Sequence, residues 1–280
     1  MAHDAGSAEL ISSFLSNSNY NFSTAVSGPA LKIFSKKFNN FINTTVNKVL
    51  KNSEILIVGT GWQTDFEYKA LSLAKEKGLI AISFLDHWVN YKSRFIRKGV
   101  QVLPNEIWVS DKYAYQMSND YFPSVKTKLI PNYYLKEQID NIIPISEVKK
   151  NQLLYLLEPL RNNWGKANPG EFQSLDYFIS KFSKLNLPDD TVIYLRPHPS
   201  EKNNKYNEWI TNNSENYEIR LDSESDLNKS ISRSKWVAGC ESYALWVSYH
   251  TGRKVFCTLP PWAPVSRIPL KEQVFLKEIK

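Results

Sequence analysis

Cysteine is nearly missing from this chain: Cys240 and Cys257 are the only two, and their spacing suits no metal site. That excludes a disulfide framework and a thiolate zinc centre. Long apolar runs are also missing, so no membrane span is expected and any membrane contact would be peripheral. Met1-Ala2-His3-Asp4 opens on polar residues without the pattern of a signal peptide. The expected compartment is reducing and cytoplasmic, at most at the inner face of a membrane. Basic residues form no arm: Lys36-Lys37 and Lys149-Lys150 are only pairs, and no nucleic-acid partner is expected. The P-loop lysine motif, the Gly-x-Ser-x-Gly elbow and the His-Glu-x-x-His zinc helix are absent. Gly59-Thr60-Gly61 lacks the third glycine of the dinucleotide fingerprint, which argues against a nicotinamide enzyme.

What is present is an ordinary globular composition, 42% hydrophobic and 22% charged, with a high aromatic content of 13%. The net charge of +7 over 280 residues favours anionic partners such as nucleotides or a membrane face. Short buried strands alternate with helical stretches along most of the chain. In the first half, strands are expected at 21–28, 54–58, 79–85, 106–110 and 128–130. An amphipathic helix at 64–77 is closed by Gly78, and another runs over 112–121. The pattern pauses over 133–151, where the sequence turns polar and irregular. It resumes with strands at 152–157, 191–195, 217–220, 235–239 and 254–256, and helices at 170–185, 201–212, 224–232 and 242–250. Such alternation predicts parallel sheets wound with right-handed crossovers. The expected fold is α/β, two Rossmann-like parallel-sheet domains facing a cleft, with residues 1–145 on the acceptor side and 146–280 on the donor side.

Three stretches could carry chemistry. Val192-Ile193-Tyr194-Leu195 runs into Arg196-Pro197-His198-Pro199, and each proline holds the residue before it extended. A cation and an imidazole at a strand's carboxyl end suit an anionic ligand; the alternative is a turn whose histidine caps a helix. Ser200 is the expected N-cap of a helix starting near Lys202. Val237-Ala238-Gly239-Cys240-Glu241-Ser242 is a strand, a glycine and a helix start, where backbone N–H groups and Ser242 can hold phosphate; an ordinary βα turn is the alternative. Asp86-His87 stands at another strand tip. Asp86 can serve as general base, as nucleophile at an anomeric carbon, or merely as a helix cap, with His87 the weaker base. Arg94 would neutralise Asp86 or bind an acidic substrate. Gly61 and the Asp4-Ala5-Gly6-Ser7 turn would shape an acceptor pocket. Glu158-Pro159 reads as a turn that could touch the donor, and His250 as a surface residue at a helix end.

The layout resembles bacterial glycosyltransferases of the two-Rossmann, GT-B type. Among these it is most similar to the Kdo- and sialic-acid-type transferases and CDP-glycerol polymerases of surface-polysaccharide assembly. The resemblance rests on His198-Pro199 and on Ser242 at a following helix start. It implies that His198 and Ser242 contact donor phosphate with support from Arg196, and that Ser200 and Glu241 lie in the same donor site. It further implies transfer of a sugar from a CMP- or other nucleotide-sugar to a glycan or lipid-linked acceptor in lipopolysaccharide or capsule synthesis, with no cofactor and no metal. The acidic motif of several sialyltransferase families is missing from the first half, so Asp86 would have to replace it. The alternatives are a CDP-polyol phosphotransferase, a nucleotide-sugar epimerase, and a non-catalytic partner in a polysaccharide-assembly complex.

Overall fold

The computed structural model describes residues 1–61, 64–160, 162–201 and 204–279. The chain forms two units, Met1–Lys136 and Glu137–Lys280. Unit 1 contains α1 (Ala5–Ser16), α2 (Pro29–Lys37), α3 (Val46–Lys51), β1 (Ile55–Val58), α4 (Phe66–Glu76), β2 (Ile80–Phe84) and α5 (Tyr91–Arg94). A hairpin of β3 (Ile96–Arg97) and β4 (Val100–Gln101) follows, then β5 (Glu106–Val109), α6 (Lys112–Tyr121) and β6 (Lys126–Leu129).

The four longer strands pair in parallel in the order β1-β2-β5-β6. Short segments extend the sheet beyond β1. Gly59 N–H donates to Met1 O at 3.0 Å, Ala2 bridges Val26 in parallel, and Thr24 bridges Asn43 in the same sense. Only single bridges form in the 21–28 region, where a full strand is expected. Buried apolar positions on α1 and α2 (Ala8, Ile11, Ala30, Phe34) pack with Ile82, Phe84 and Trp108 of the sheet. α4 ends as its sequence predicts, with Gly78 just past it at φ +69°.

α7 (Tyr133–Asp140) falls in the stretch that reads as irregular. It buries none of its residues, so it leaves no apolar periodicity in the sequence; the Asn132 side chain accepts Leu135 N–H at 2.9 Å and fixes its start.

Unit 2 follows with β7 (Gln152–Leu156), α8 (Gly170–Lys181), β8 (Val192–Arg196), α9 (Asn207–Asn213), β9 (Ile219–Leu221), α10 (Leu227–Arg233), β10 (Trp236–Gly239), α11 (Tyr243–His250), β11 (Lys254–Cys257) and β12 (Val274–Phe275). Its six strands are parallel in the order β12-β11-β10-β7-β8-β9. From β7 the chain winds outward through β8 and β9, then returns to build β10, β11 and β12 on the other side. The boundary between β7 and β10 is therefore the topological switch point, where open α/β sheets bind ligands beyond their carboxyl ends. Leu153, Tyr155, Ile193, Leu195, Ala238 and Phe256 pack one face of the sheet with Leu175 and Phe178 of α8, while Leu154, Leu156, Val237 and Val255 are buried on the other face. That double burial explains the near-continuous apolar runs. The β12 edge strand is too short to show in the sequence.

The helix after β8 begins at Asn207 with Tyr206 at its N-cap position, so Ser200 does not cap it. Lys202, from which that helix was expected to start, lies outside the described residues. Glu201 explains the shift. Its side chain accepts from the His198 backbone N–H at 3.2 Å, Lys205 at 2.5 Å and the Tyr206 hydroxyl at 2.8 Å, so the loop closes on itself before a helix can start.

Candidate functional site

At the switch point of unit 2, the backbone N–H groups of Cys240, Glu241 and Ser242 converge on one atom. That atom is Oε1 of Glu158, the second residue past β7, at 3.0, 2.8 and 3.0 Å. The turn between β10 and α11 thus forms a concave nest of donors aimed at a single anionic oxygen. Its positive character comes from aligned peptide dipoles at the start of α11. Burial nevertheless raises the Glu158 carboxyl to about 7 and outweighs the three hydrogen bonds; the neighbouring Glu241 charge pushes the same way. The occupant is held in place yet poorly solvated.

Ser242 plays a local part: its Oγ accepts Ala244 N–H at 3.2 Å as the N-cap of α11. Ser242→Ala should therefore lower stability by about 1 kcal/mol, read from a denaturant midpoint, while Ser242→Asn should stay close to the parent. The Glu241 side chain, largely covered, ion-pairs with Arg267 in the long segment between β11 and β12.

The β8 tip forms a separate cluster. Arg196 donates to Asp222 at 2.7 Å, the Glu224 carbonyl at 2.8 Å and the Ser230 hydroxyl at 2.8 Å. Its guanidinium is thereby neutralised and locked onto the β9–α10 segment, on the side of β8 away from β10. None of those partners belongs to the Ser242 turn. His198 is exposed. Its Nδ1 accepts Ser200 N–H at 3.2 Å and lies 2.8 Å from Ser200 Oγ, which directs the other ring nitrogen outward. Sequence reasoning placed Arg196, His198, Ser200, Glu241 and Ser242 together; the structure divides them between two strand tips with β7 between.

In unit 1 the expected residues do gather. Arg94 NH1 donates to Asp86 Oδ1 at 2.5 Å and to Thr60 Oγ1 at 2.8 Å, and Nε donates to the Val89 carbonyl at 2.9 Å. The Arg94 side chain is only 4% exposed and that of Asp86 15%. Gly6, in the first turn of α1, backs directly onto the Asp86 carboxylate, and any side chain there would overlap it. Gly61 backs onto Asp4 in the same way. Asp86 is not a helix cap: α5 starts at Tyr91 behind Asn90, which is left-handed at φ 59°. His87 Nδ1 accepts the Trp88 backbone N–H at 3.0 Å, and Trp88 Nε1 donates to Asp111 at 3.0 Å. Asp4, Gly6, Gly61, Asp86 and Arg94 therefore line the carboxyl end of the sheet in one cluster.

Neither cysteine is a nucleophile near neutral pH. Burial pushes the Cys257 thiol to about 11 and the Cys240 thiol well above its ordinary value. Among the described residues, no three His, Cys, Asp or Glu side chains are arranged to hold a metal ion, and no helix is long and apolar enough to cross a membrane.

No protein-family model matches the chain, and no curated protein matches its sequence. Solved structures do. The UDP-GlcNAc 2-epimerase of Methanocaldococcus jannaschii superposes with a TM-score of 0.65 at 11% identity, covering 98% of this chain and 87% of that one. The UDP-GlcNAc 2-epimerase of Neisseria meningitidis, solved with UDP-GlcNAc, gives 0.56 at 10% identity, covering 91% and 80%. The glycotransferase of kitacinnamycin gives 0.56 at 10% identity, covering 98% and 84%. This chain shares their fold. It is GT-B-like, with the two Rossmann-like parallel-sheet units that the alternation of strands and helices predicts.

Within that fold, Glu158 holds more than its sequence suggests: Glu158-Pro159 reads as a turn that could touch the donor, and the register that pairs Leu156 with Gly239 brings the residues just beyond them side by side. His3 was not singled out at all. Its Nδ1 lies 2.9 Å from Asp4 Oδ1, and its ring packs against Gly28, whose φ of +55° lets the backbone approach closely.

Proposed function

We propose that this chain is a nucleotide-sugar-using enzyme. In its finer form, it is a glycosyltransferase that moves a sugar from a CMP- or other nucleotide-sugar to a glycan or lipid-linked acceptor of surface-polysaccharide assembly. One observation carries the reading: three consecutive backbone N–H groups at the switch point converge on a single anionic oxygen. A phosphate oxygen of the donor takes the place that Glu158 now fills. Catalysis of transfer needs negative charge stabilised on the departing phosphate, and fixed N–H dipoles in a poorly hydrated site do this without reorganisation. His198, with its outward ring nitrogen, is the second donor-side contact. In unit 1, Asp86 is the carboxylate assigned to the acceptor hydroxyl, held in orientation by Arg94. No cofactor and no metal enters the scheme. The neighbours named above are consistent with it, since one was solved with UDP-GlcNAc and another is a glycotransferase.

Because two of those neighbours are epimerases, a nucleotide-sugar epimerase is the second reading; sugar products formed without any acceptor would select it. The primary test is thermal. A panel of CMP, CDP, UDP and GDP is added to the protein, and at least one should raise the melting temperature by several degrees. His198→Ala should remove that shift while leaving the ligand-free melting temperature unchanged, because the His198 ring is exposed and bonds only within its loop. Absence of a shift with every nucleotide would contradict the reading.

A further inference from the structure

The segment between β11 and β12 carries Pro260-Pro261-Trp262-Ala263-Pro264, and its tryptophan stands in water, 43% exposed. An indole on a surface loop is ordinarily free to turn. This one is fixed. Its Nε1 donates to Gln173 Oε1 at 2.6 Å, and Gln173 Nε2 donates in turn to the Asn163 carbonyl at 2.6 Å and the Asn168 carbonyl at 2.7 Å. Gln173 is only 6% exposed, so a buried amide with both its hydrogens and its oxygen engaged orients a surface ring. The flanking prolines stiffen the backbone, and Ala263 N–H closes the turn on the Pro260 carbonyl at 3.0 Å. Gln173, Asp176, Tyr177 and Ser180 share one stripe of α8 by their spacing of three and four residues. With Trp262, Lys166 and Asn168 they line a pocket of about 370 Å³. The Tyr177 and Trp262 ring centres are 5.8 Å apart at 70°, so the two rings form a corner. The Lys166 ammonium lies 3.5 Å from the Trp262 ring centre, and Asp176 is held in place by Trp209 Nε1 at 2.7 Å.

Charge and shape decide what fits. Lys166 and Asp176 bring opposite signs to one pocket, so a phosphate would meet the carboxylate and an ammonium ligand would meet the lysine. A neutral ring bearing many hydroxyls meets neither penalty. It takes hydrogen bonds from Lys166 and Asn168 and gives them to Asp176 and Ser180, while its C–H face lies on the electron-rich face of the indole. A flat nucleobase would cover one wall of the corner and leave most of this polar rim unmatched. We propose that the pocket is a saccharide-binding site that takes a neutral pyranose unit of a glycan, one ring face against Trp262. Its volume lies at the lower end for small-ligand pockets and suits one or two sugar rings. On binding, the exposed Lys166 side chain leaves the indole face and donates to a sugar hydroxyl. Rigid support of Trp262 by Gln173 lowers the ordering cost of the contact. None of these residues belongs to the phosphate nest or to the Asp86 cluster, so the inference does not depend on the donor reading.

The test is an NMR titration of the full chain with cellobiose, maltose and di-N-acetylchitobiose, with choline and inorganic phosphate as charged controls. At least one disaccharide should receive saturation transfer chiefly at the protons of one ring face. It should also shift the Trp262 indole N–H, identified as the resonance missing from Trp262→Ala. That variant should bind the sugar roughly tenfold more weakly or worse. Because Trp262→Ala also releases the Gln173 amide, Ser180→Trp serves as the second variant. It fills the pocket from the exposed face of α8, leaves Trp262 and Gln173 in place, and should abolish binding with an unchanged melting temperature. The proposal is overturned if no disaccharide binds wild type, if either variant binds like wild type, or if choline or phosphate binds more tightly than the sugars. It is equally overturned if the sugar moves the Cys240, Glu241 and Ser242 amides instead of the Trp262 indole, since the saccharide then sits in the nest.

Discussion

Replacing Glu158 with glutamine is expected to tighten nucleotide-sugar binding about tenfold at pH 8 and to change it little at pH 6. The reason is competition for one position. The three N–H donors of the β10–α11 turn already hold the Glu158 carboxylate, so an incoming phosphate must displace it. Burial places the Glu158 carboxyl near 7. Its neutral form gives up the nest more readily than the ion. If only that form yields, the competent fraction is about one in ten a unit above 7 and nearly complete a unit below, and apparent affinity falls in proportion. Wild type should therefore lose affinity as pH rises through 7, whereas Glu158→Gln should show a flat profile. A nucleotide diphosphate-sugar is the right probe, because its phosphates do not titrate in this window.

The same shift governs stability. The folded carboxyl lies above its unfolded value of 4.5, so its favourable contribution is complete below 4.5 and declines as pH rises to 7. Glu158→Gln should melt higher than wild type at pH 8, by the equivalent of about 2 kcal/mol, and the two should converge below pH 5. Calorimetric titration and thermal melts across pH 5–8 check both.

Arg94→Ala should cost about 3–5 kcal/mol of folding stability, the largest structural effect in unit 1. Arg94 is almost fully enclosed and joins α5 to the β1 turn through Thr60 and to the β2 tip through Asp86. Removing it leaves the Asp86 carboxylate against the α1 backbone without a counterion. Asp86→Ala should be costly for the converse reason, an unpaired buried guanidinium. Asp86→Ala combined with Arg94→Met should recover much of the loss, since neither charge then remains. Lys92→Ala, two residues away and exposed, should change stability by less than about 0.5 kcal/mol. Denaturant midpoints for the four variants decide the matter.

Much of this was legible in the chain. Runs such as Leu153-Leu154-Tyr155-Leu156 announce strands buried on both faces, and their alternation with helices of moderate length announces parallel order. The unit 1 cluster was also legible, because Asp86, Gly61 and Asp4 each follow a strand tip of one sheet, and tips of a parallel sheet meet. What failed was orientation. Arg196 stands at the tip of β8 as expected, but its long side chain could swing toward either neighbour, and Asp222, 26 residues further on, claims it. Nothing local to Arg196 encodes that. Glu158 could be named as a strand-tip residue, but not its partners: they lie more than 80 residues away, and only the β7–β10 register makes them adjacent. α7 escaped notice because a helix that buries nothing carries no periodic signal.

The most direct check of the phosphate nest is an NMR titration that follows the backbone amides of Cys240, Glu241 and Ser242 as nucleotide-sugars are added. The account predicts that these three resonances move together and saturate with one ligand, while the Glu158 side-chain carboxyl signal moves in step as the group leaves the turn. If a nucleotide-sugar binds and those amides stay where they are, with Glu158 still against them, the donor site is elsewhere and the account is wrong.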